Sequence, residues 1–290
     1  MRAYRPLAIA LAATFFVAQS PAPVVAGSEL QPGLTTGIAL GPPLPEGVYD
    51  LTLANWGARS TSPATDVGVL APTWIVWSTP WTLAGGRLGF DVAPSAAQVS
   101  IDHPVGLNKA GWANPLVELS LKWDLGNHFY AGVHEGLHIP VTGPLERIGV
   151  AYNFASFMQV VALSYLNEGW DLSATVIYGT GRNGTTPGSF APSWFNYDLT
   201  ATRTFGKWEI GAVGFGSADL SRPYAGYARQ SQFALGGLVG YNFGPVNIQL
   251  KLTSDVAERN YRGKDTRIWT NIVIPIWTPN SSNQRIAAKY

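Results

Sequence analysis

Apolar and polar residues alternate with a period of two along several stretches of the chain. In residues 115–124 one face collects Val117, Leu119, Leu121 and Trp123, and the other collects Glu118, Ser120, Lys122 and Asp124. Residues 170–178 and 246–253 repeat the pattern. An extended strand with one face in an apolar environment and the other in a wet one produces this alternation. Taken singly, such strands also fit a soluble antiparallel sheet with one solvated face.

The pattern predicts twelve strands, separated by gaps of two kinds. The predicted strands are 47–56, 66–77, 88–101, 113–123, 128–139, 154–166, 170–178, 195–203, 208–217, 232–242, 246–254 and 266–276. From the fourth strand on, short gaps (124–127, 167–169, 204–207 and 243–245) alternate with long gaps (140–153, 179–194, 218–231 and 255–265). Transmembrane β-barrels have short periplasmic turns and longer outer loops. We therefore predict an all-β fold, an antiparallel up-and-down transmembrane β-barrel of about 12 strands over residues 47–277.

Aromatic residues give this barrel a direction, because they gather beside the short gaps. Trp123 ends a strand just before a short gap, and Phe129, Trp170 and Trp208 each begin a strand just after one. Aromatic girdles lie at the membrane interfaces of such barrels. The short turns are therefore expected to face the periplasm. The pattern leaves the facing of 129–139 and 154–166 open, because Glu135 falls among apolar residues and the alternation blurs near Met158.

The N-terminus has the features of an export signal. Arg2 and Arg5 precede an apolar run at 7–17, and small residues at 24–26 offer a cleavage site. We predict a signal peptide at 1–26, an unstructured lead-in at 27–46 and a polar tail at 278–290. Whether the lead-in plugs the barrel, and what the tail does, are left open.

Composition narrows the function classes. Charged residues make up 13% of the chain, against about 25% in soluble domains. The net charge of +1 suggests no polyelectrolyte partner, so no nucleic acid is expected. The chain contains no cysteine, which excludes disulfides and thiolate metal sites.

Short segments carry a resemblance to a known family. They are the residues at 45–49, 140–143, 165–174, 207–214, 240–243 and 257–260. In this order and spacing, from about Pro45 to Pro275, the chain resembles the phenol-degradation MetA-pathway (SphA-like) outer-membrane transporters. The resemblance implies an outer-membrane β-barrel associated with the uptake of aromatic or other hydrophobic compounds.

Charged and histidine side chains on the polar faces are the candidate functional residues. The predicted lumen-lining residues are Glu118, Lys122, His134, His138, Asp171, Glu209, Lys251 and Arg267. Both signs of charge occur, so no strong anion or cation filter is predicted. These residues would tune solute passage through a polar constriction, or they would simply pair with one another and fill a narrow lumen.

Little in the sequence supports an enzymatic function. His134 and His138, four residues apart on a strand, would lie about 13 Å from each other, too far to share a metal ion. Ser120 and Ser173 are lumen-facing serines without a supporting local motif. We therefore expect no catalytic residue, no cofactor and no metal, and an outer-membrane channel for passive uptake of small solutes, aromatic or hydrophobic ones included. Its expected partners are outer-membrane lipid and a small-molecule solute, and its oligomeric state is open. The alternatives are an envelope barrel with a structural or adhesion role and an outer-membrane lipid hydrolase.

Overall fold

The computed structural model describes residues 27–279. The predicted signal peptide and nearly all of the predicted polar tail lie outside the described residues. Between residues 27 and 279 the chain forms fourteen strand segments and one 3-10 turn at Glu146–Ile148. The segments are β1 Gly47–Arg59, β2 Thr65–Leu83, β3 Gly86–Ala93, β4 Ala96–Ile101, β5 Leu107–Trp112, β6 Leu116–Gly126, β7 Phe129–His138, β8 Ser156–Asn167, β9 Trp170–Gly179, β10 Trp194–Phe205, β11 Trp208–Asp219, β12 Ser231–Asn242, β13 Asn247–Arg259 and β14 Asp265–Trp277.

These segments close into a single antiparallel barrel of twelve strands, which confirms the predicted fold class. Each segment from β6 to β14 pairs with the next, and β1 closes the ring by pairing with both β14 and β2. The long strand β2 pairs with β3 along one half and with β4 along the other. On their other edges, β3 pairs with β6 and β4 pairs with β5. The segments β3 and β4 are therefore two parts of one interrupted barrel strand, and β5 and β6 are two parts of the next. In this way fourteen segments make twelve barrel strands.

The two rims of the barrel have connections of different length. One rim carries tight turns at 84–85, 127–128, 168–169 and 206–207 and a slightly longer one at 243–246. Glu168 (φ 49°) and Gly169 (φ 83°) are both left-handed, as a two-residue hairpin turn matched to strand twist requires. The other rim carries the long loops, at 139–155, 180–193 and 220–230 among others. We refer to them as the short-turn rim and the long-loop rim.

Exposure along the strands is inverted relative to a soluble protein. In β9, Leu172 and Val176 are 45% and 40% exposed, whereas Asp171 and Thr175 are each 3% exposed. An apolar outer face and a polar interior are what a barrel in lipid requires. The register of β7 with β8 runs without a shift, so Glu135 is exposed on the outer face opposite Gln159. Among the described residues, no helix is long and apolar enough to cross a membrane.

Aromatic rings border the short-turn rim on the outside. Trp208 and Tyr241 have ring centroids 4.7 Å apart, and Phe129 and Tyr165 are 4.9 Å apart. The Arg203 guanidinium lies 5.2 Å from the Trp170 ring. Rings with one polar edge are favoured at a membrane interface, so this belt marks one boundary of the apolar zone.

The segment before β1 departs from the sequence prediction. Residues 27–46 were expected to form an unstructured lead-in, but they lie inside the barrel as a series of turns and bends. Leu34, Ile38 and Leu40 are buried in the main apolar cluster together with barrel residues. The physical reason is that the lumen wall provides apolar contacts and hydrogen-bonding groups to this segment. The segment is therefore held in a defined position although it forms no helix or strand.

Candidate solute site in the barrel lumen

We call residues 27–46 the lumen segment, because they run along the inside of the barrel from one rim to the other. Gly27 lies against Asp219, the last residue of β11 at the long-loop rim. Gly41 lies against the Ser164 side chain of β8. Gly47 lies against the main chain of Trp277 at the short-turn rim. The segment therefore narrows the lumen over most of its length.

Buried side chains of two strands, β10 and β13, hold the lumen segment in place. The Asp198 carboxylate accepts hydrogen bonds from the main-chain nitrogens of Gly33 (3.0 Å) and Thr35 (2.9 Å), and from the Thr35 hydroxyl (2.7 Å). Lys251 donates to the carbonyl of Thr36 (2.7 Å) and to its hydroxyl (2.9 Å). Hydrogen bonds to charged groups are the stronger kind, so β10 and β13 provide the main polar anchors.

Glycine in the barrel wall permits close approach by the segment. A Cβ atom added to Gly132 of β7 would lie 2.7 Å from the carbonyl oxygen of Leu40, a distance that Cβ atoms do not adopt. A side chain at this position would therefore push the segment away from the wall.

The eight predicted lumen-lining residues are all buried, with exposures of 7% or less. Glu118, Lys122 and His134 fall in one cluster on β6 and β7, where Nδ1 of His134 is 2.5 Å from Oε1 of Glu118. Arg267 pairs with Asp265 at 2.9 Å, on the far side of the barrel. The structure thus divides the predicted set into separate hydrogen-bonded groups around the wall.

The remaining members of the predicted set contact other polar groups. Glu209 accepts from Thr202 (2.5 Å) and from Gln249 (3.0 Å). Asp171 accepts from Ser173 (2.5 Å). These short contacts give much of the wall a structural role, so a functional role is expected where a polar atom remains available to a solute.

Three residues of the interior were missed by the sequence reasoning. Asp198 falls on the polar face of a predicted strand, so the period of two could have found it. Asp91 lies in a predicted strand that Pro94 and several alanines make hard to recognise. Glu29 lies before the barrel, where no periodicity signals burial.

Asp91, Glu118 and His134 form the one cluster of the described chain whose ligand-type atoms could hold a metal ion, all within 4.8 Å of one another. Lys122 belongs to the same electrostatic group and is itself buried. Its ammonium offsets one of the two carboxylate charges, so part of the charge compensation that a metal ion would supply is already present. We assign it no metal.

The geometry gives little support to a serine hydrolase centre. Ser120 lies opposite His134 in the register of β6 and β7. Its hydroxyl, however, is directed towards Gly89 on the neighbouring strand β3, where an added Cβ would lie 2.4 Å from it. The hydrogen bond between nucleophile and base that such chemistry requires is not formed between these two side chains.

A mostly apolar cavity of about 50 Å³ lies between the lumen segment and the barrel wall. Its apolar walls come from the segment and from strands β2, β6, β8 and β9. They include Leu34, Leu40, Trp74, Leu116, Met158, Val160 and Ile177. Its polar lining includes Glu29, Asn114, Glu118 and His138. An apolar cavity with a few polar groups is the usual form of a small-molecule site.

Two of these polar side chains form hydrogen bonds with other groups of the protein. The Asn114 amide donates to the carbonyls of Ile139 (3.0 Å) and Tyr152 (2.7 Å), so it fixes the loop at 139–155. The Glu29 carboxylate accepts from the Ser156 hydroxyl. Burial raises the pKa of Glu29 to about 7, and the hydrogen bond from Ser156 opposes this rise.

Tyrosines of the long loops lie above the cavity. Tyr152 is 1% exposed and stacks on Phe154, with ring centroids 5.3 Å apart. Tyr227 donates from its hydroxyl to Asp219 at 2.7 Å. Burial raises the pKa of Tyr261 to about 12. The outer end of the lumen is therefore covered by packed aromatic side chains.

Comparison with known proteins places the chain in a family. Residues 57–272 match the family described as "Putative MetA-pathway of phenol degradation". The match covers most of the chain, and the chain belongs to this family. With this fold and an apolar outer surface, it is a β-barrel protein of the bacterial outer membrane. No curated protein sequence matches the chain.

One solved structure shares the fold of this chain, and others are similar at a lower level. The COG4313 outer membrane channel from Pseudomonas putida F1 superposes with a TM-score of 0.64 at 14% identity, covering 84% of this chain and 99% of that one. The translocator domain of autotransporter NalP from Neisseria meningitidis gives a TM-score of 0.45 at 11% identity (79% and 88% covered). The CymD monoaromatic hydrocarbon channel gives 0.44 at 10% identity (79% and 88% covered). At these identities the first likeness supports the barrel fold alone.

Proposed function

We propose that this protein is a passive outer-membrane channel for small solutes, aromatic and other hydrophobic ones included. The observation that carries the proposal is the apolar cavity inside a barrel whose wall is otherwise polar. A structural or adhesive barrel has no need of such a space at its centre. The family membership supports the same function, and the fold is one that an outer-membrane channel also has.

The lumen segment defines the path that a solute would take. A solute entering at the long-loop rim meets the aromatic cover, then the cavity, and then the narrow polar zone around Gly41 and Ser164. Passage requires a displacement of the lumen segment or of its side chains. Because the segment is held by side-chain hydrogen bonds and is not paired as a strand, such a displacement leaves the barrel intact.

Planar-bilayer recording tests the proposal directly. Purified full-length protein, shown to be folded by the heat-dependent shift of its gel mobility, should produce discrete current steps. A variant lacking residues 28–41 should produce larger steps, because the material that narrows the lumen is gone. Folded protein that produces no current, with or without these residues, would favour a structural role.

A further inference from the structure

Three side chains on the wall of the cavity have a buried polar atom without a hydrogen-bond partner among the described residues: Glu29, His138 and Trp74. The indole N–H of Trp74 interacts with the Asp91 carboxyl group, so the atoms of Glu29 and His138 are the two that a ligand would satisfy. Within residues 27–279, neither Oε1 of Glu29 nor Nε2 of His138 has a hydrogen-bond partner, and both side chains line the cavity. A buried polar atom that makes no hydrogen bond costs about 1–3 kcal/mol. Other buried polar atoms of the interior also have no hydrogen-bond partner, such as Nε2 of His134 and Oδ1 of Asn196, but Glu29 and His138 line a cavity with space for a ligand.

The surroundings of both groups make these free atoms acceptors. Nδ1 of His138 faces the main-chain oxygen of Asn114 at 3.5 Å. Because a carbonyl only accepts, Nδ1 carries the proton and Nε2 presents a lone pair. Oε2 of Glu29 already accepts from Ser156, which leaves Oε1 as the free oxygen, and Oε1 is an acceptor when Glu29 is ionised, above its pKa of about 7. A ligand that satisfies this site must therefore donate hydrogen bonds.

The rest of the cavity sets the shape and the charge of such a ligand. One water needs about 10–15 Å³ of such space, so the 50 Å³ cavity holds about four waters, on the scale of one small ring. Trp74, Met158 and Ile177 supply flat or deformable apolar walls. The lining contains no lysine or arginine, so an anionic group would meet Glu29 with no cation to balance it.

We propose that this cavity is a binding site for a neutral aromatic ring that carries a hydroxyl or amino donor, with Glu29 and His138 as the groups that recognise the donor. The inference rests on the proposed channel function and adds to it a residue-level selectivity. The site accepts phenol- or aniline-type rings, and it discriminates against benzoate-type anions and against rings without a polar group. Because Glu29 belongs to the lumen segment, an occupied site also links the ligand to the segment.

Equilibrium binding tests the inference separately from conduction. Full-length protein in detergent at pH 8, where Glu29 is ionised, is titrated by calorimetry with phenol, aniline, benzoate and toluene. Phenol and aniline should bind about five- to tenfold more tightly than toluene, as one buried hydrogen bond implies, and benzoate should bind more weakly still. His138→Phe should reduce the preference for phenol over toluene, since the ring is retained and one of the two acceptors is lost.

Two further variants keep the test decisive. His103→Phe makes the same change in an exposed loop and should leave all four affinities unchanged. Glu29→Leu lies outside the strands, so it tests the donor preference even where His138→Phe fails to fold. Equal affinities for phenol and toluene in the wild type, or a preference that survives both cavity variants, would overturn the inference. Selective binding by a barrel that conducts no current would keep the site and reject the proposed channel.

Discussion

The ammonium of Lys251 donates a 2.7 Å hydrogen bond to the main-chain carbonyl of Thr36. The two residues are 215 positions apart, and the contact joins the barrel wall at β13 to the lumen segment. Lys251 is 2% exposed, and its ammonium also lies 5.0 Å from the ring centroid of Trp269. A long buried cation that reaches the main chain of the segment acts as a latch between wall and segment.

Removal of this latch should loosen the lumen segment. Lys251→Met keeps the length of the side chain and removes both hydrogen bonds to Thr36, at a cost of about 1.5–3 kcal/mol for a charged donor. The expected result is a larger or more frequent single-channel current, together with faster proteolysis near residue 36. Lys207→Met, in an exposed short turn, is the matched control and should behave as wild type. Identical currents for all three proteins would mean that the latch does not hold the segment.

Glycine at position 132 should be required for the seating of the segment. Gly132→Ala places a Cβ 2.7 Å from the Leu40 carbonyl oxygen, so the segment must shift. Gly237→Ala is the matched control, because its nearest neighbour is 3.9 Å away. We expect the first variant to show increased proteolysis of the segment at unchanged barrel stability, and the second to show neither change. If Gly132→Ala protects the segment as wild type does, the close packing described here is wrong.

The seating of the segment should weaken as the pH rises. Burial raises the pKa of Glu29 from an ordinary 4.5 to about 7, so the seated state binds the proton more tightly than a released, solvated state. Below pH 4.5 both states are protonated. Between pH 4.5 and 7 the released state loses its proton first, and above pH 7 the seated state is disfavoured by about 3 kcal/mol relative to low pH.

Conductance recorded from pH 4 to pH 8 checks this dependence. The current or the open probability should rise over the interval between the two pKa values and then level off. Glu29→Gln cannot ionise, so its conductance should rise much less than that of the wild type over that interval. Glu46→Gln, at the other end of the lumen segment, should retain the wild-type pH profile. A wild-type profile that falls with rising pH would contradict the assignment.

Much of the barrel can be predicted because most strands show the alternation of apolar and polar residues within their own sequence. The alternation in 170–178 arises from the difference between lipid on one side and a polar lumen on the other, so it does not depend on which strands are neighbours. The interruptions between β3 and β4 and between β5 and β6 are different. A proline lies in each interruption, Pro94 and Pro115. The pairing of the flanking segments, however, depends on the long strand β2 taking two partners in succession, which no local pattern reveals.

The interior could be predicted only in part. Residues such as Lys251 and Asp171 fall on polar strand faces, so their burial follows from the period of two. The cavity depends on the lumen segment, whose contacts are with Asp198, Lys251 and Gly132, on three non-adjacent strands. A segment whose partners are distributed in this way has no periodicity of its own. The roles of Glu29 and His138 therefore become apparent only in the folded barrel.

Solute flux tests the central claim most directly. Vesicles with lipopolysaccharide in the outer leaflet are prepared with and without the folded protein, and the entry of hydroquinone, benzoate and glucose is measured for each. The account predicts that the protein raises the entry of hydroquinone above the protein-free rate, and raises it more than that of benzoate or glucose. Equal enhancement of all three solutes would contradict the selectivity, and entry of every solute at the protein-free rate would contradict the channel itself.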